Sequence, residues 1–378
     1  MNLPPNRHYA FVFLEIFSQE GGIQAYVKDV LKAYISLVER SPTPPITDIF
    51  LLRDGSDCQN TLTTESIKFH YLKTLPPWQG RVKLAVSLLI YLVKYRPQRI
   101  FCGHINLAPL VYFFCRPLGI PYTVLTYGKE VWQTLPQQQR QALQEAEAIW
   151  TISRYSGDRL SQSNKIDPTK IKILPCVVDG DQFTPGEKPA KLVEKYELNR
   201  VKVLMTVARL WSGDIYKGVD VTIRALPKIS QSCPNVKYLI IGRGDDRPRL
   251  EQLAQELGVA QQVVFAGFIP TEHLVDHYRV ADAYIMPSQE GFGIVYLEAM
   301  ACGLPVLSGD ADGSADPLQD GKLGWRVPHR DSEAVAQGCL EILQGKDQRT
   351  QGDWLRQQTL TEFGQGILSQ KLQQLLDF

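Results

Sequence analysis

Short runs of β-branched and aromatic residues alternate with helix-length segments along almost the whole chain. This alternation restricts the fold more than any other feature, because it is the pattern of βα units wound about a parallel sheet. Strands are expected near Tyr9–Phe13, Asp48–Leu52, Arg99–Cys102, Tyr122–Thr126, Ala148–Thr151 and Lys170–Leu174. After a Pro- and Gly-containing stretch, Pro175–Pro189, the pattern restarts, with strands expected at Lys202–Val207, Val236–Ile241, Val263–Phe265, Ala283–Met286 and Pro305–Ser308. A length of 378 residues exceeds what one hydrophobic core usually spans. The expectation is therefore an α/β chain of two Rossmann-like domains facing across a deep cleft, residues 1–180 and 190–354. The closing helical segment, Trp354–Phe378, is a candidate to pack back on the first domain.

Composition removes several function classes. With 41 basic and 40 acidic side chains there is no global field to attract nucleic acid. The seven cysteines are scattered and never in a C-x-x-C pair, which reads as reduced, cytoplasmic and not metal-binding. No extended apolar region with a small-residue cleavage site follows the N-terminus, so no secretory signal is expected. The apolar stretch Leu84–Val93 is about half of the roughly 20 residues a membrane-spanning helix needs. It belongs to a longer segment, Trp78–Arg99, that carries Arg81, Lys83, Lys94, Arg96 and Arg99 at its two ends. Such a helix can lie on anionic lipid at the inner face of a membrane, or it can be ordinary core between sheet and solvent.

In open α/β sheets ligands bind outside the carboxyl ends of the strands. After the first strand of the second domain comes TVARLWSGDIYKGVD, with Arg209 and Lys217 in the loop. Two cations there suit a diphosphate whose charge grows as a group departs, although a solvated loop with incidental charges reads the same way. Further on, PSQEGFGIVYLEAMACGLPV places Gly291, Phe292 and Gly293 in a tight turn that opens a helix, where the N–H groups of Ile294 and Val295 can receive phosphate oxygens. Glu290 sits in that turn and Glu298 inside the helix; a helix cap and an exposed helix charge are the plain alternatives for the two acids. Nearer the N-terminus, Gly21 and Gly22 precede a helix that carries Gln24, and His104 follows the strand Arg99–Cys102. Imidazole is the side chain most able to exchange a proton near neutral pH, and a lone histidine is also often structural.

The E-x7-E pattern of Glu290 and Glu298, the A-R-L…K-G-x-D loop, IIGRGDD, FAGFIP and AMACGLPVL, taken in this order and spacing, resemble the family 4 GT-B glycosyltransferases. The resemblance implies a retaining hexosyltransferase whose nucleotide-diphosphate sugar is held mainly by the second domain, with UDP-glucose the first expectation for the donor and GDP-mannose the second. Arg209 and Lys217 would bind the diphosphate, Glu298 the ribose, Glu290 the sugar hydroxyls, and the backbone of Gly291–Val295 sugar and phosphate. Gly242, Arg243, Phe268 and Ile269 would form the base pocket, and Gly22 would close over the diphosphate with Gln24 beside it. The acceptor would be a saccharide or a lipid-linked saccharide, as in surface polysaccharide or glycolipid synthesis, and no metal or other cofactor is expected. Two positions depart from the family pattern. Tyr127 stands where the family usually has histidine, which leaves Tyr127, Lys129 or Glu130 to contact donor or acceptor, and Cys176 stands in place of an asparagine.

Competing readings rest on weaker signals. The Gly-x-Gly of IIGRGDDRP lacks the third glycine of a dinucleotide fingerprint, Arg247 standing there, which argues against a dehydrogenase. His273 and His277 are four apart on a helical run with no third ligand near in sequence, so a solvated face explains them better than zinc. A nucleotide-sugar epimerase, a sugar phosphorylase and a non-catalytic nucleotide-sugar binder remain as alternatives on the same architecture.

Overall fold

The computed structural model describes residues 7–64 and 66–376, which divide into two compact units. The first comprises the chain up to Cys176 together with the segment from Gln365; the second runs from Val177 to Gly364.

The sheet of the first unit contains β1 (His8–Phe13), β2 (Ile46–Leu51), β3 (Ile67–Tyr71), β4 (Arg99–Cys102), β5 (Tyr122–Thr126), β6 (Ala148–Thr151) and β7 (Ile171–Ile173). Their spatial order is β3-β2-β1-β4-β5-β6-β7, and every neighbouring pair is parallel. The central strands are near-continuous apolar runs because helices cover both faces of such a sheet; all five residues of β5 are buried. Register aligns Phe11 with Ile49 on one side and Phe101 on the other, and the Phe11 and Phe101 rings stack at 4.5 Å. Trp150, from β6, packs against Phe101 at 5.2 Å.

The second sheet contains β8 (Lys202–Val207), β9 (Val236–Ile241), β10 (Val263–Gly267), β11 (Ala283–Met286), β12 (Val306–Gly309) and β13 (Trp325–Val327), in the order β10-β9-β8-β11-β12-β13 and again all parallel. Both sheets reverse their strand order once, between β1 and β4 in the first and between β8 and β11 in the second. Those reversals are where a doubly wound sheet opens a crevice for a ligand.

Two strands lie outside the sequence expectation, β3 and β13, and both are outermost in their sheets. An edge strand is covered on fewer sides and needs no continuous apolar run, so IKFHY shows one buried and four partly or fully exposed residues. The closing segment is two helices rather than one, Gly352–Phe363 and Gln365–Leu376, separated at Gly364. Gly364 takes extended backbone and bridges to Val178, and a Cβ there would lie 2.6 Å from the Leu360 carbonyl oxygen. The first of these helices counts with the second unit, and the second packs on helix Gly22–Arg40 of the first unit.

Candidate active site

The loop leaving β8, Ala208–Gly218, is held by its neighbours. The Ala208 N–H donates to the Ile241 carbonyl (2.9 Å), the Leu210 N–H to the Arg243 carbonyl (3.0 Å) and the Asp246 N–H to the Leu210 carbonyl (2.9 Å), so the loops after β8 and β9 lie side by side. Glycine makes that approach feasible. A Cβ on Gly242 would sit 1.8 Å from the Ala208 carbonyl oxygen, and one on Gly244 equally close to that of Leu210. The Gly242 N–H also donates to the Gly267 carbonyl (2.9 Å), which draws in the loop after β10, where half-exposed Phe268 lies 4.8 Å from the Arg243 guanidinium and is followed by Ile269. The four residues expected to shape a base pocket are thus on adjoining loops.

Within the β8 loop, Arg209 pairs with buried Asp214 at 2.8 Å while 69% of its own side chain stays exposed. Tyr216 lies beside them, and burial, followed by the Asp214 and Glu290 carboxylates, pushes its phenol above the ordinary range. At the loop's end Gly218 adopts a φ of +75°, where a Cβ would be 2.4 Å from the Pro287 carbonyl oxygen. The β8 loop therefore abuts the loop leaving β11, and the Gln289 N–H donates to the Tyr216 carbonyl across that contact (3.0 Å). Beside it Lys217 Nζ donates to Glu290 Oε1, with side-chain exposures of only 18% and 16%. One basic and one acidic residue, 73 positions apart, are brought together at the strand reversal of this sheet.

Backbone contacts aim Glu290. Its N–H donates to Asp312 Oδ2 (2.6 Å) and its carbonyl accepts from the Gly313 N–H (2.9 Å). Asp312 is buried and also accepts from the Ser314 N–H (2.9 Å) and hydroxyl. Burial raises its carboxyl to about 6 in spite of those donors, and the nearby Glu290 charge adds to the shift. The sequence reading passed over Asp312; the D-G-S turn it opens was the available signal. Gly293, with a φ of +91°, starts the helix Ile294–Ala301, which no side chain caps. Phe292 is 1% exposed and packs on Phe363, so it can offer a ligand only backbone, whereas Ile294 and Val295 are partly exposed. Glu298, on the second turn, accepts from the buried Tyr278 hydroxyl at 2.7 Å. Burial, then the Glu298 charge, keeps that phenol protonated and donating.

In the first unit the β1 loop is held by Asp54, fully buried, which accepts from the N–H groups of Ile16 (2.6 Å), Phe17 (3.1 Å) and Ser18 (2.8 Å). The loop leads to helix Gly22–Arg40, at whose start a Cβ on Gly22 would meet nothing within 4 Å; the Gln24 amide folds back toward Gly21. His104 caps the short turn after β4: its Nδ1 accepts the Asn106 N–H at 3.1 Å, which places the neutral ring's proton on Nε2. Burial, with Arg53 nearby, lowers its pKa to about 4. Tyr127 is buried, donates its hydroxyl to the Gly103 carbonyl and meets the Tyr26 ring edge-on at 5.9 Å. Glu130 accepts from the N–H groups of Tyr127 and Gly128, while Lys129 is exposed. Tyr127 and Glu130 are thereby engaged in holding the turn after β5. Tyr26, which donates to the Leu174 carbonyl (2.8 Å), also feels Cys176, so the two positions that depart from the family pattern converge on one side chain. His273 is exposed, and His277 is buried against Tyr196 at 3.2 Å; among the described residues no three His, Cys, Asp or Glu side chains gather as a metal would need.

Residues 201–345 match the family Glycosyl transferases group 1. Among curated proteins, the chain is 35% identical over 232 residues to the GDP-mannose-dependent alpha-(1-6)-phosphatidylinositol monomannoside mannosyltransferase of Mycolicibacterium smegmatis, covering 58% of this chain and 59% of that one. It is 33% identical over 211 residues to the D-inositol 3-phosphate glycosyltransferase of Mycobacteroides abscessus, covering 54% and 46% respectively. The chain thus spans less than two thirds of the length of these relatives. Among solved structures, the sucrose-phosphate synthase of Thermosynechococcus elongatus superposes with a TM-score of 0.78 at 21% identity, over 98% of both chains. HepE of Anabaena, solved in complex with UDP, does so with a TM-score of 0.78 at 18% identity, over 98% of this chain and 99% of that one. The chain has the two-domain α/β fold of the GT-B glycosyltransferases, and its residues 201–345 are similar to the Glycosyl transferases group 1 family.

Proposed function

We propose that this protein is a retaining, metal-independent glycosyltransferase that moves mannose from GDP-mannose to a lipid-linked or inositol-containing acceptor. The observation that carries the reading is the Lys217–Glu290 pair, joined across the two loops that flank the strand reversal of the second sheet, with Arg209 exposed on the same loop as Lys217. A bound nucleotide-diphosphate sugar would separate that pair. Lys217 would turn to the diphosphate together with Arg209, and Glu290 to the sugar hydroxyls. Glu298, oriented by Tyr278, is suited to the ribose diol.

The donor differs from the first sequence expectation. UDP-glucose has no support from the relatives at 30–35% identity, several of which are named for GDP-mannose. The UDP complexes among the structural neighbours are below 20% identity and speak only to fold. In the reaction proposed, the acceptor hydroxyl oxygen bonds to the anomeric carbon, the carbon–phosphate oxygen bond breaks, and the acceptor proton passes to the departing diphosphate on the same face. Cations at Arg209 and Lys217, with the uncapped N-terminus of helix Ile294–Ala301, favour the charge that gathers on the leaving group. Neutral His104, at the strand reversal of the first sheet, is the imidazole available there, Tyr127 being engaged with Gly103.

Calorimetric titration with GDP-mannose, UDP-glucose and ADP-glucose tests the donor, and binding confined to a uridine nucleotide would reject it. Proton NMR of the product tests retention: an inverted anomeric centre rules the same-face step out. Turnover that disappears in EDTA and returns with Mg²⁺ or Mn²⁺ would remove metal independence.

A further inference from the structure

Of the fourteen large hydrophobic side chains exposed among the described residues, eight lie between Leu75 and Tyr95. The helix Pro77–Tyr95 packs Gly80, Leu84, Leu88, Tyr91 and Leu92 inward. On the other side Trp78 (60% exposed), Val82 (53%), Val86 (52%), Leu89 (41%), Ile90 (60%) and Val93 (56%) face solvent. At 3.6 residues per turn these six fall within about 120° of the circumference and run for about 22 Å along the axis. Helices at the surface of a globular unit ordinarily present polar residues there. Lys83 and Lys94 border the stripe on one side and Arg81 on the other, and Arg96 follows at the end of the helix; all four are exposed. From Pro77 to Gln98 the sequence contains no Asp or Glu. Arg99 is not part of this surface, since it pairs with Glu147 at 2.9 Å.

We infer that this face is a docking surface for an anionic lipid bilayer, with the six apolar side chains at the boundary of headgroups and acyl chains and the cations among the headgroup phosphates. The charges choose the occupant. A second copy of the chain laid on the same stripe, parallel or antiparallel, would set the Arg81–Lys83 and Lys94–Arg96 ends against cations of its partner, a repulsive arrangement, whereas a surface of anionic headgroups is complementary along the whole length. Lysine stems can lie along the apolar stripe with the ammonium groups lifted toward phosphate, and a tryptophan at one end is the residue that membrane interfaces favour. The inference goes beyond the proposed reaction and is independent of which sugar is transferred.

Flotation of the full chain with vesicles tests it, comparing phosphatidylcholine alone with phosphatidylcholine containing phosphatidylglycerol. Binding is expected only to the anionic vesicles, falling steeply in high salt. The triple variant Arg81→Gln/Lys83→Gln/Lys94→Gln should lower the partition by roughly fivefold for each cation removed. Val86→Ser/Ile90→Ser should abolish flotation without shifting the melting temperature or nucleotide-sugar binding, because both side chains already face solvent. An Ile46→Ser control on another exposed hydrophobic residue should bind vesicles as the parent does. Failure to float with anionic vesicles overturns the inference. So does concentration-dependent dimerisation in sedimentation that Val86→Ser/Ile90→Ser removes while vesicle binding is absent, since the face would then be an interface between copies.

Discussion

Lys217 and Glu290 neutralise each other in a partly buried setting, and neither keeps its environment if the other is truncated. Removing Glu290 leaves a half-buried ammonium; removing Lys217 leaves a half-buried carboxylate beside Asp312. Each of Lys217→Ala and Glu290→Gln should lower kcat by about 10²–10³, the range for losing one group that meets developing charge. Because the two act as a unit, the double variant should fall well short of the product of the single effects, which a double-mutant cycle of kcat/KM measures. Asp312 gives a prediction with a sign. Its folded pKa of about 6 lies above the ordinary aspartate value, so protonation in the folded state is favoured over the unfolded chain. The associated stability is fully present below pH 4 and is lost as pH rises through 6. Function runs the other way, because the charged carboxylate holds the Glu290 N–H more firmly. The pH profile of kcat/KM should therefore show an acid limb near pH 6 that flattens in Asp312→Asn; an unchanged limb in that variant would place the titrating group elsewhere.

At the scale of elements, the close approach of the β8, β9 and β10 loops depends on Gly242, whose φ of +144° and whose distance from the Ala208 carbonyl exclude a side chain. Gly242→Ala should destabilise the protein by about 2 kcal/mol or more through strain and displacement, lowering the melting temperature by about 4–8 °C. The C-terminal helix Gly352–Phe363 is fastened by Arg356, which donates to the carbonyls of Gly180 (2.7 Å), Phe183 (2.6 Å) and Ala301 (2.5 Å). Ala301 ends the helix that carries Glu298, so Arg356→Met should loosen the helix proposed to meet the ribose, seen as a raised donor Kd together with a lower melting temperature. These contacts also mark where legibility stopped. Largely buried strands such as YTVLT and VKYLII announce themselves by apolar runs, and nearly all of them fall where the sequence puts them. Edge strands β3 and β13 do not, and neither does the break at Gly364, which is decided by pairing with Val178, far away in sequence.

Over the whole molecule, the candidate site was legible only in part. Arg209, Lys217, Glu290 and Glu298 are readable because their spacing and their places after strands are local properties, and the second unit assembles Lys217 and Glu290 directly. Asp54 and Tyr278 are not readable, because a residue that aims another does so across tens of positions and nothing local marks it, and for Asp312 the D-G-S turn marks a cap but not the Glu290 N–H that it also holds. Tyr127 shows the converse: a position of interest in sequence is, in space, a buried phenol tied to Gly103. The second unit carries all the residues assigned to the donor except Gly22, so donor binding should leave an uneven trace. GDP-mannose at a hundred times its dissociation constant should stabilise the binding-competent state by about 2.7 kcal/mol. Hydrogen exchange should slow most in residues 208–218, 241–246 and 288–298, where the loops after β8, β9 and β11 carry the predicted contacts. Exchange in 14–24 should slow as well if Gly22 meets the diphosphate, and protection confined to the second unit would remove Gly22 from the donor site while leaving the Lys217–Glu290 reading intact. Protection absent from 208–218 and 288–298 would reject that reading altogether, because a diphosphate cannot engage Lys217 and Glu290 without ordering the loops that hold them.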